Sequence, residues 1–424
     1  MYKKTVLKNG LRIITVPAKS TKAVTVMALV GTGSKYETKE INGISHFLEH
    51  MFFKGTKNRP DKLKIAEDLD KVGGNFNAFT GFDYTGYYAK VACEKFDLAM
   101  DWVSDIYLNS LLPAVEIDKE RGVIIEEINM YYDHPMKYVC DLWQELLYGD
   151  QPAGWNIAGT KETVSQIAQE QMIDYRLRQY VASNTIVVIA GNIVADEAIL
   201  SAQKYFNSIN QTLPKGKLPV VESQNKPAIL LQKRTTDQTH IALGVRAYNL
   251  FNKKHYALEL LGVILGGMMS SRLWIEVREK LGLAYYLRGE AQMDADTGSF
   301  VVNAGLDSKK VDLGIAVILK EFKKIKENKI SNEELQKAKD NIVGKTTIAL
   351  ESSDALASFY AEQELIEGKI LSPEQLYAKI EKVTLEDIKE VAQEIFVPEK
   401  LNLAMIGPYD DASRFQKLLD SGLQ

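Results

Sequence analysis

Two histidines and a glutamate lie close together in the segment His46-Phe47-Leu48-Glu49-His50. The surrounding sequence, NGISHFLEHMFFKGT, contains no proline and has apolar residues at helical spacing, which predicts a helix. Positions i, i+3 and i+4 share one face of a helix, so His46, Glu49 and His50 should point the same way. Two imidazoles one turn apart can bind one metal ion, and the carboxylate can sit over the ion's open side. This HxxEH spacing reverses the HExxH zinc helix and predicts a metal site.

A third protein ligand is needed, and the segment PAVEIDKERGVIIEEINMYY is predicted to form a second helix that supplies it. It contains Glu116, Glu120, Glu126 and Glu127. Seven residues make nearly two turns, so Glu120 and Glu127 face the same side, while Glu126 points about 100° away from Glu127. Periodicity alone leaves Glu116, Glu120 and Glu127 as candidates.

A site of two histidines and one carboxylate leaves Zn²⁺ an open fourth position for water, which the ion acidifies. Glu49 is positioned to take a proton from that water during hydrolysis. The same donor set also accepts manganese or cobalt, so zinc is the best assignment among several metals. The three other histidines, His134, His240 and His255, have no partner at ligand spacing and are predicted to be structural or surface residues.

Length and composition limit the class of protein. A chain of 424 residues is too long for one ordinary core, which favours two domains. No apolar run approaches the ~20 residues of a membrane helix, and a net charge of −4 without a basic stripe argues against nucleic acid as a partner. Cys93 and Cys140 do not form a CxxC, and we expect buried thiols in a reducing cytoplasm. The first residues lack the features of a secretory signal and predict a β-hairpin with a type I′ turn at Asn9-Gly10.

One structural unit is used twice. Residues 209–228 are rich in proline and polar residues and are predicted to be a linker between a domain at 1–208 and a domain at 229–424. The segments ending at Gly191 and Gly407 match at an offset of 216, and those containing Asp97 and Asp312 match at 215. Each unit mixes β-rich runs with amphipathic helices, which predicts an α+β fold of two similar α/β sandwich domains. The alternative, a nucleotide-binding parallel sheet, has only the weak glycine loop 31–34 in its favour.

The sequence resembles the M16 metallopeptidases over nearly its whole length. GISHFLEHMFFKGT is similar to the zinc helix of that family with its usual flanks, and ERGVIIEE is similar to its distal motif of two glutamates seven residues apart. The resemblance implies that Glu127 is the third zinc ligand and that Glu120 supports a ligating imidazole. It also implies one zinc ion per chain, because the second half lacks the zinc helix.

Two further segments resemble the substrate-binding parts of that family. GGNFNAFTGFDYTGYY is similar to its edge strand, which implies that Asn77, Ala78 and Thr80 line the cleft beside an extended peptide. SSRLWIEVREKLGLAYYL is similar to its Arg/Tyr motif, which implies that Arg278 and Tyr285 donate to the substrate carbonyl and the developing oxyanion. The implied activity is zinc-dependent endopeptidase cleavage of peptides or unfolded protein segments.

The working unit of the family has four such domains, which implies a homodimer whose Arg278 and Tyr285 serve the zinc of the partner. The sequence also permits a site completed within one chain. The main alternative function is a catalytically silent binding or assembly subunit of the same fold. Silent relatives lose the zinc helix or the Arg/Tyr motif, whereas this chain retains both.

Overall fold

The computed structural model describes residues 2–327 and 330–423, which form two sheets and the helices around them. The strands are β1 Lys3–Val6, β2 Arg12–Pro17, β3 Ala23–Val30, β4 Asn75–Thr80, β5 Thr85–Ala92, β6 Thr185–Gly191, β7 Ala228–Lys233, β8 Gln238–Arg246, β9 Ala284–Met293, β10 Gly298–Asp307 and β11 Leu401–Gly407. The helices are α1 Ile44–Met51, α2 Lys62–Asp70, α3 Phe96–Asn109, α4 Ala114–Tyr132, α5 Pro135–Tyr148, α6 Lys161–Gln166, α7 Gln169–Gln179, α8 Ala195–Tyr205, α9 His255–Gly266, α10 Val311–Glu327, α11 Asn332–Ala349, α12 Ser353–Glu362, α13 Pro373–Glu381, α14 Leu385–Ile395 and α15 Ser413–Gly422. Two π-helical segments span Trp274–Lys280 and Gln363–Glu367.

The two sheets have the same strand order once the N-terminal strand is set aside. The first runs β1-β2-β6-β3-β5-β4 and the second β7-β11-β8-β10-β9. In each, one parallel pair (β2 with β6, β7 with β11) lies beside antiparallel strands. Gly191 and Gly407, matched at an offset of 216 in the sequence, each end the corresponding strand. The predicted α+β fold of two similar domains is confirmed.

The first sheet is covered on both faces because its strands alternate apolar residues towards two separate clusters. Ile13 belongs to the large cluster built with α1 and α3. Its neighbour Ile14 belongs to a second cluster that includes Ala357 and Ala361 of α12. Successive strand residues point to opposite faces, so both positions are buried.

The helix on that second face comes from the other half of the chain. The first compact unit consists of residues 1–128, 156–218 and 345–372, and the second of residues 129–155, 219–344 and 373–424. Correspondingly, α5 from the first half packs on the second sheet, where Trp143 shares a cluster with Ala404. The two halves of the chain thus exchange helices, and a single boundary within residues 209–228 does not describe that exchange. The described residues between Tyr205 and Ala228 do form no helix or strand.

Three local expectations are corrected. The N-terminal hairpin exists, with Lys3 opposite Thr15, but φ is positive only at Gly10 and not at Asn9, which excludes a type I′ turn. The Gly10 N–H donates to the Leu7 carbonyl, so a type I turn is followed by a left-handed glycine. Cys93 is half-buried and Cys140 exposed, so neither is a buried thiol, and both are free.

The glycine loop at 31–34 is unavailable to a phosphate group. All four residues are buried, and a Cβ on Gly33 would lie 2.2 Å from the carbonyl oxygen of Gly81. The loop therefore packs against backbone, and the nucleotide-binding alternative loses its only sequence signal. None of the helices in the described part of the chain combines the length and the apolar character needed to span a bilayer.

Candidate metal centre

Helices α1 and α4 bring three potential ligands together. His46 and His50 lie one turn apart on α1, as predicted, with ring centroids 4.6 Å apart. The Oε2 atom of Glu127 on α4 lies 3.5 Å from Nε2 of His46 and 3.4 Å from Nε2 of His50. Donors bound tetrahedrally to zinc at about 2.0–2.1 Å are about 3.3–3.4 Å apart, so these spacings fit one ion. Among the described residues this is the only group of three such side chains.

The second nitrogen of His50 is held by a carboxylate. Nδ1 of His50 lies 2.9 Å from Oε1 of Glu120, and the other oxygen of Glu120 is 2.6 Å from Nζ of Lys54. Burial opposes ionisation of Glu120, but the hydrogen bonds from His50 and Lys54 outweigh it and lower the pKa of Glu120. An ionised Glu120 accepts the Nδ1–H of His50, which leaves Nε2 directed at Glu127.

The two histidines differ in basicity because their surroundings differ. Burial and the neighbouring His50 lower the pKa of His46 to about 4, against the opposing charge of Glu127. Burial also disfavours the charged form of His50, but hydrogen bonds to Glu120 and Glu127 outweigh it and raise the pKa of His50 to about 9. Burial thus favours the neutral form of His46, which is the form that binds a metal, whereas the two glutamates favour the charged form of His50 in the metal-free chain.

The glutamates that helical periodicity left as candidate ligands have different surroundings in the structure. Glu127 lies against Nε2 of His50, and Glu120 contacts Nδ1 on the other side of the same ring. Glu116 instead pairs with Lys62 and Lys119. Glu126 is exposed and is not part of the metal-binding group.

Glu49 lies on α1 between the two histidines and is hydrogen-bonded to the neighbouring strand. The hydroxyl of Thr80, the last residue of β4, donates to Oε2 of Glu49 at 2.5 Å. Burial raises the pKa of Glu49, and the Thr80 hydrogen bond opposes that shift. The sequence assigned Thr80 to the substrate cleft, and this contact to Glu49 had no signal in the sequence.

Strand β4 forms an edge of the first sheet, beside α1. It pairs with β5 through a register that places Asn77 opposite Tyr88 and Thr80 opposite Thr85. Asn77 is exposed, whereas the side chain of Ala78 is only 7% exposed and belongs to the core. The side chain of Ala78 therefore does not face solvent, and its backbone N–H donates to Oδ1 of Asn77 at 2.9 Å.

Arg278 and Tyr285 lie in the second compact unit. Arg278 is in the π-helical segment Trp274–Lys280, with its guanidinium 4.2 Å from the ring centre of Trp274 and 5.7 Å from that of Tyr285. Tyr285, in β9, is 76% exposed. The side chains of Arg278 and Tyr285 are thus neighbours.

The remaining histidines have surroundings of other kinds. His134 is exposed before α5. Nδ1 of His240 lies 2.9 Å from the hydroxyl of Tyr286, and Nδ1 of His255 lies 2.7 Å from the carbonyl oxygen of Asn252. None of the three belongs to the group that could hold a metal ion.

Sequence reasoning missed Glu37, a buried carboxylate that contacts the first turn of α1. It accepts hydrogen bonds from the backbone N–H groups of Gly43 and Ser45, each at 2.8 Å. Burial raises the pKa of Glu37 to about 7, against these hydrogen bonds. A glutamate nine residues before His46 has no helical period that would single it out.

The sequence matches two family profiles, described as "Insulinase (Peptidase family M16)" over residues 12–161 and "Peptidase M16 inactive domain" over residues 166–342. An uncharacterized zinc protease of Bacillus subtilis is 35% identical over 96% of this chain and 98% of its own length. The chain belongs to peptidase family M16. A second relative, an uncharacterized zinc protease of Mycobacterium leprae, is 34% identical over 96% of this chain and 92% of its own length.

Solved structures of the family's fold resemble the whole chain. A protease from Helicobacter pylori has a TM-score of 0.88 at 24% identity, covering 96% of this chain and 100% of that one. A chain of Complex III2 from Candida albicans has a TM-score of 0.84 at 19% identity, covering 98% and 99%. At these identities the likeness establishes the fold alone.

Proposed function

We propose that this M16 protein is a zinc-dependent endopeptidase that cleaves peptides or unfolded protein segments. The observation that supports it best is the donor geometry, in which one oxygen of Glu127 lies 3.4–3.5 Å from Nε2 of both His46 and His50. These three residues would hold one zinc ion per chain. When bound, the ion supplies Lewis acidity that polarises water and a carbonyl group. The zinc-protease names of the relatives agree with this metal.

Glu49 is the proposed general base. It lies on the same helix as the histidines without belonging to the ligand group. Burial raises the pKa of Glu49, which makes it a better proton acceptor during the attack of water on the scissile carbonyl. The protonated carboxyl group then gives the proton to the leaving amine.

Substrate is proposed to pair with the edge strand β4. The exposed Asn77 and the backbone of Ala78 lie along that edge, which can add an extended peptide as a further strand. Arg278 and Tyr285 are the proposed donors to the substrate carbonyl, and they would reach the zinc site of a second copy in a homodimer. A reducing cytoplasm suits two free cysteines.

The alternative is a catalytically silent subunit of the same fold. The likeness to a chain of Complex III2 makes it worth testing, because the fold alone does not separate the two functions. The complete set of His46, His50, Glu127 and Glu49 favours the enzyme.

A peptide-library digestion tests whether the chain is a peptidase or a catalytically silent subunit. The purified full chain, loaded with zinc, should cut a library of extended peptides, and mass spectrometry should show internal cleavage products. A chelator should abolish these products, and added zinc should restore them. Stoichiometric zinc without any cleavage would support the silent subunit, and cleavage that survives complete removal of metal would refute the proposed mechanism.

A further inference from the structure

The helix that bears the histidines has no capping residue of its own. Gly43 precedes it with φ at +97°, and the first N–H groups of any helix lack acceptors within it. A Cβ at Gly43 would lie 2.6 Å from the carbonyl oxygen of Ala158, so no larger residue fits there. Glu37 supplies the missing acceptors: Oε2 accepts from the Gly43 N–H, and Oε1 accepts from the Ser45 N–H.

The cap is itself held in place. Glu37 is 3% exposed, and Nδ2 of Asn42 donates to its Oε2 at 3.0 Å. On the other side of the turn, the hydroxyl of Ser45 lies 2.9 Å from that of Tyr175, which in turn lies 2.8 Å from Oγ1 of Thr32. The first turn of α1 is therefore fixed from two directions by buried hydrogen bonds.

The two histidines depend on this turn to different degrees. Nδ1 of His50 is bonded to Glu120, which orients the ring directly. Nδ1 of His46 is buried and has no hydrogen-bond partner among the described residues. His46 directly follows Ser45, so its ring direction is set mainly by the backbone of the capped turn.

We propose that Glu37 is a positioning residue for the metal site, because capping α1 holds His46 where its Nε2 meets Glu127. This inference rests on the proposed metal site, which it deepens by assigning a separate support to each histidine. Glu120 orients one ring from behind, and Glu37 orients the other through the helix backbone. Neither residue touches the ion or the substrate.

Zinc affinity tests this role without relying on activity. Glu37→Gln keeps the shape of the side chain but replaces one acceptor oxygen with an amide NH2 group, a donor that cannot accept from the backbone N–H it faces. Glu364→Gln is the matched control, because Glu364 is equally buried in the same unit and pairs with Lys4 and Arg12 rather than with α1. Competition with a chromogenic chelator should show zinc binding weakened about 10–100-fold in Glu37→Gln and nearly unchanged in Glu364→Gln. The visible absorption of bound Co²⁺ should change only in Glu37→Gln.

Each outcome has one meaning. A wild-type chain that binds no zinc would overturn the proposed function together with this inference. A folded Glu37→Gln that binds zinc like the wild type, or equal losses in both variants, would overturn this inference alone. If circular dichroism shows that Glu37→Gln does not fold, Glu37→Asp decides, because the shorter side chain keeps the charge but draws its oxygens away from the Gly43 and Ser45 N–H groups. Weaker zinc binding in Glu37→Asp supports the role of Glu37, and unchanged binding overturns it.

Discussion

Adjacent glutamates on α4 face different surroundings, which makes them a matched pair for testing the ligand assignment. Glu127 lies against both histidines, whereas Glu126 is exposed. Glu127→Gln should weaken zinc binding by more than the roughly 10–100-fold typical of residues that only support ligands. Glu126→Gln should leave zinc binding unchanged in the same chelator competition. A larger loss in Glu126→Gln would contradict the geometry of the site.

Thr80 has two possible roles that kinetics can separate. Its hydroxyl donates to Glu49 and fixes the direction of that carboxylate, and a hydrogen bond to a charged group contributes about 1.5–3 kcal/mol. Thr80→Val should therefore let the carboxylate turn away and lower kcat about tenfold or more while KM stays similar. Thr80→Ser keeps the hydroxyl and should restore most of kcat. Both constants can be measured with a fluorogenic peptide. A rise in KM alone would instead favour contact with substrate, the role that the family resemblance implied.

At the scale of elements, the sequence predicted the helices α1 and α4, but it did not predict how the two helices pack against each other. The spacing of His46, Glu49 and His50 predicted α1, and the run containing Glu120 and Glu127 predicted α4. Helical periodicity gives the direction of a side chain around its own axis but not the angle at which two helices meet. Periodicity alone therefore did not identify the third ligand. The family resemblance favoured Glu127, and in the structure the packing of the two helices brings Glu127 against the histidines.

For a related reason, the sequence could not predict which sheet each of the exchanged helices α5 and α12 covers. An amphipathic pattern shows that α12 has an apolar face, but it does not say which sheet that face covers. In the structure, Ala357 and Ala361 of α12 pack on the first sheet, although more than 160 residues separate them from β6. The cap from Glu37 was missed because it joins residues through tertiary contact rather than through a repeating pattern.

Because α12 packs on the first sheet, a substitution in α12 should destabilise strands that lie far from it in the sequence. Ala357 is 0% exposed, and Ala357→Asp would bury a charge against β3 and β6, which should cost several kcal/mol. Ile348→Asp is the control, because Ile348 is 75% exposed. Hydrogen exchange should show lost protection in β3 and β6 only for Ala357→Asp. Equal protection in both variants would contradict the packing of α12 on the first sheet.

At the scale of the whole molecule, each half forms a sheet of the same strand order, but among the described residues the group that could hold a metal ion lies only in the first half. The sequence predicted the duplication from matched segments, and it predicted one metal site per chain because the second half lacks an equivalent of the zinc helix. It could not decide whether Arg278 and Tyr285 act within one chain or across a dimer, since spacing along a chain does not determine assembly.

Subunit mixing tests the proposed homodimer. Inactive Glu49→Gln and inactive Arg278→Ala proteins are mixed in equal amounts, with subunit exchange verified by mass spectrometry of labelled chains. If Arg278 serves the partner's site, half of the dimers are mixed and each contains one intact site of two, so activity should return to roughly a quarter of wild type. If Arg278 serves its own chain, every site lacks one group and the mixture stays inactive.

The most direct test of the proposed peptidase is the metal content and peptide cleavage of Glu49→Gln, measured on the same sample. The substitution removes the proposed base but none of the three ligands. The account predicts one zinc per chain by elemental analysis, as in the wild type, together with a loss of kcat/KM by about two to four orders of magnitude. A variant that keeps wild-type cleavage, or one that loses its zinc, would contradict the role assigned to Glu49.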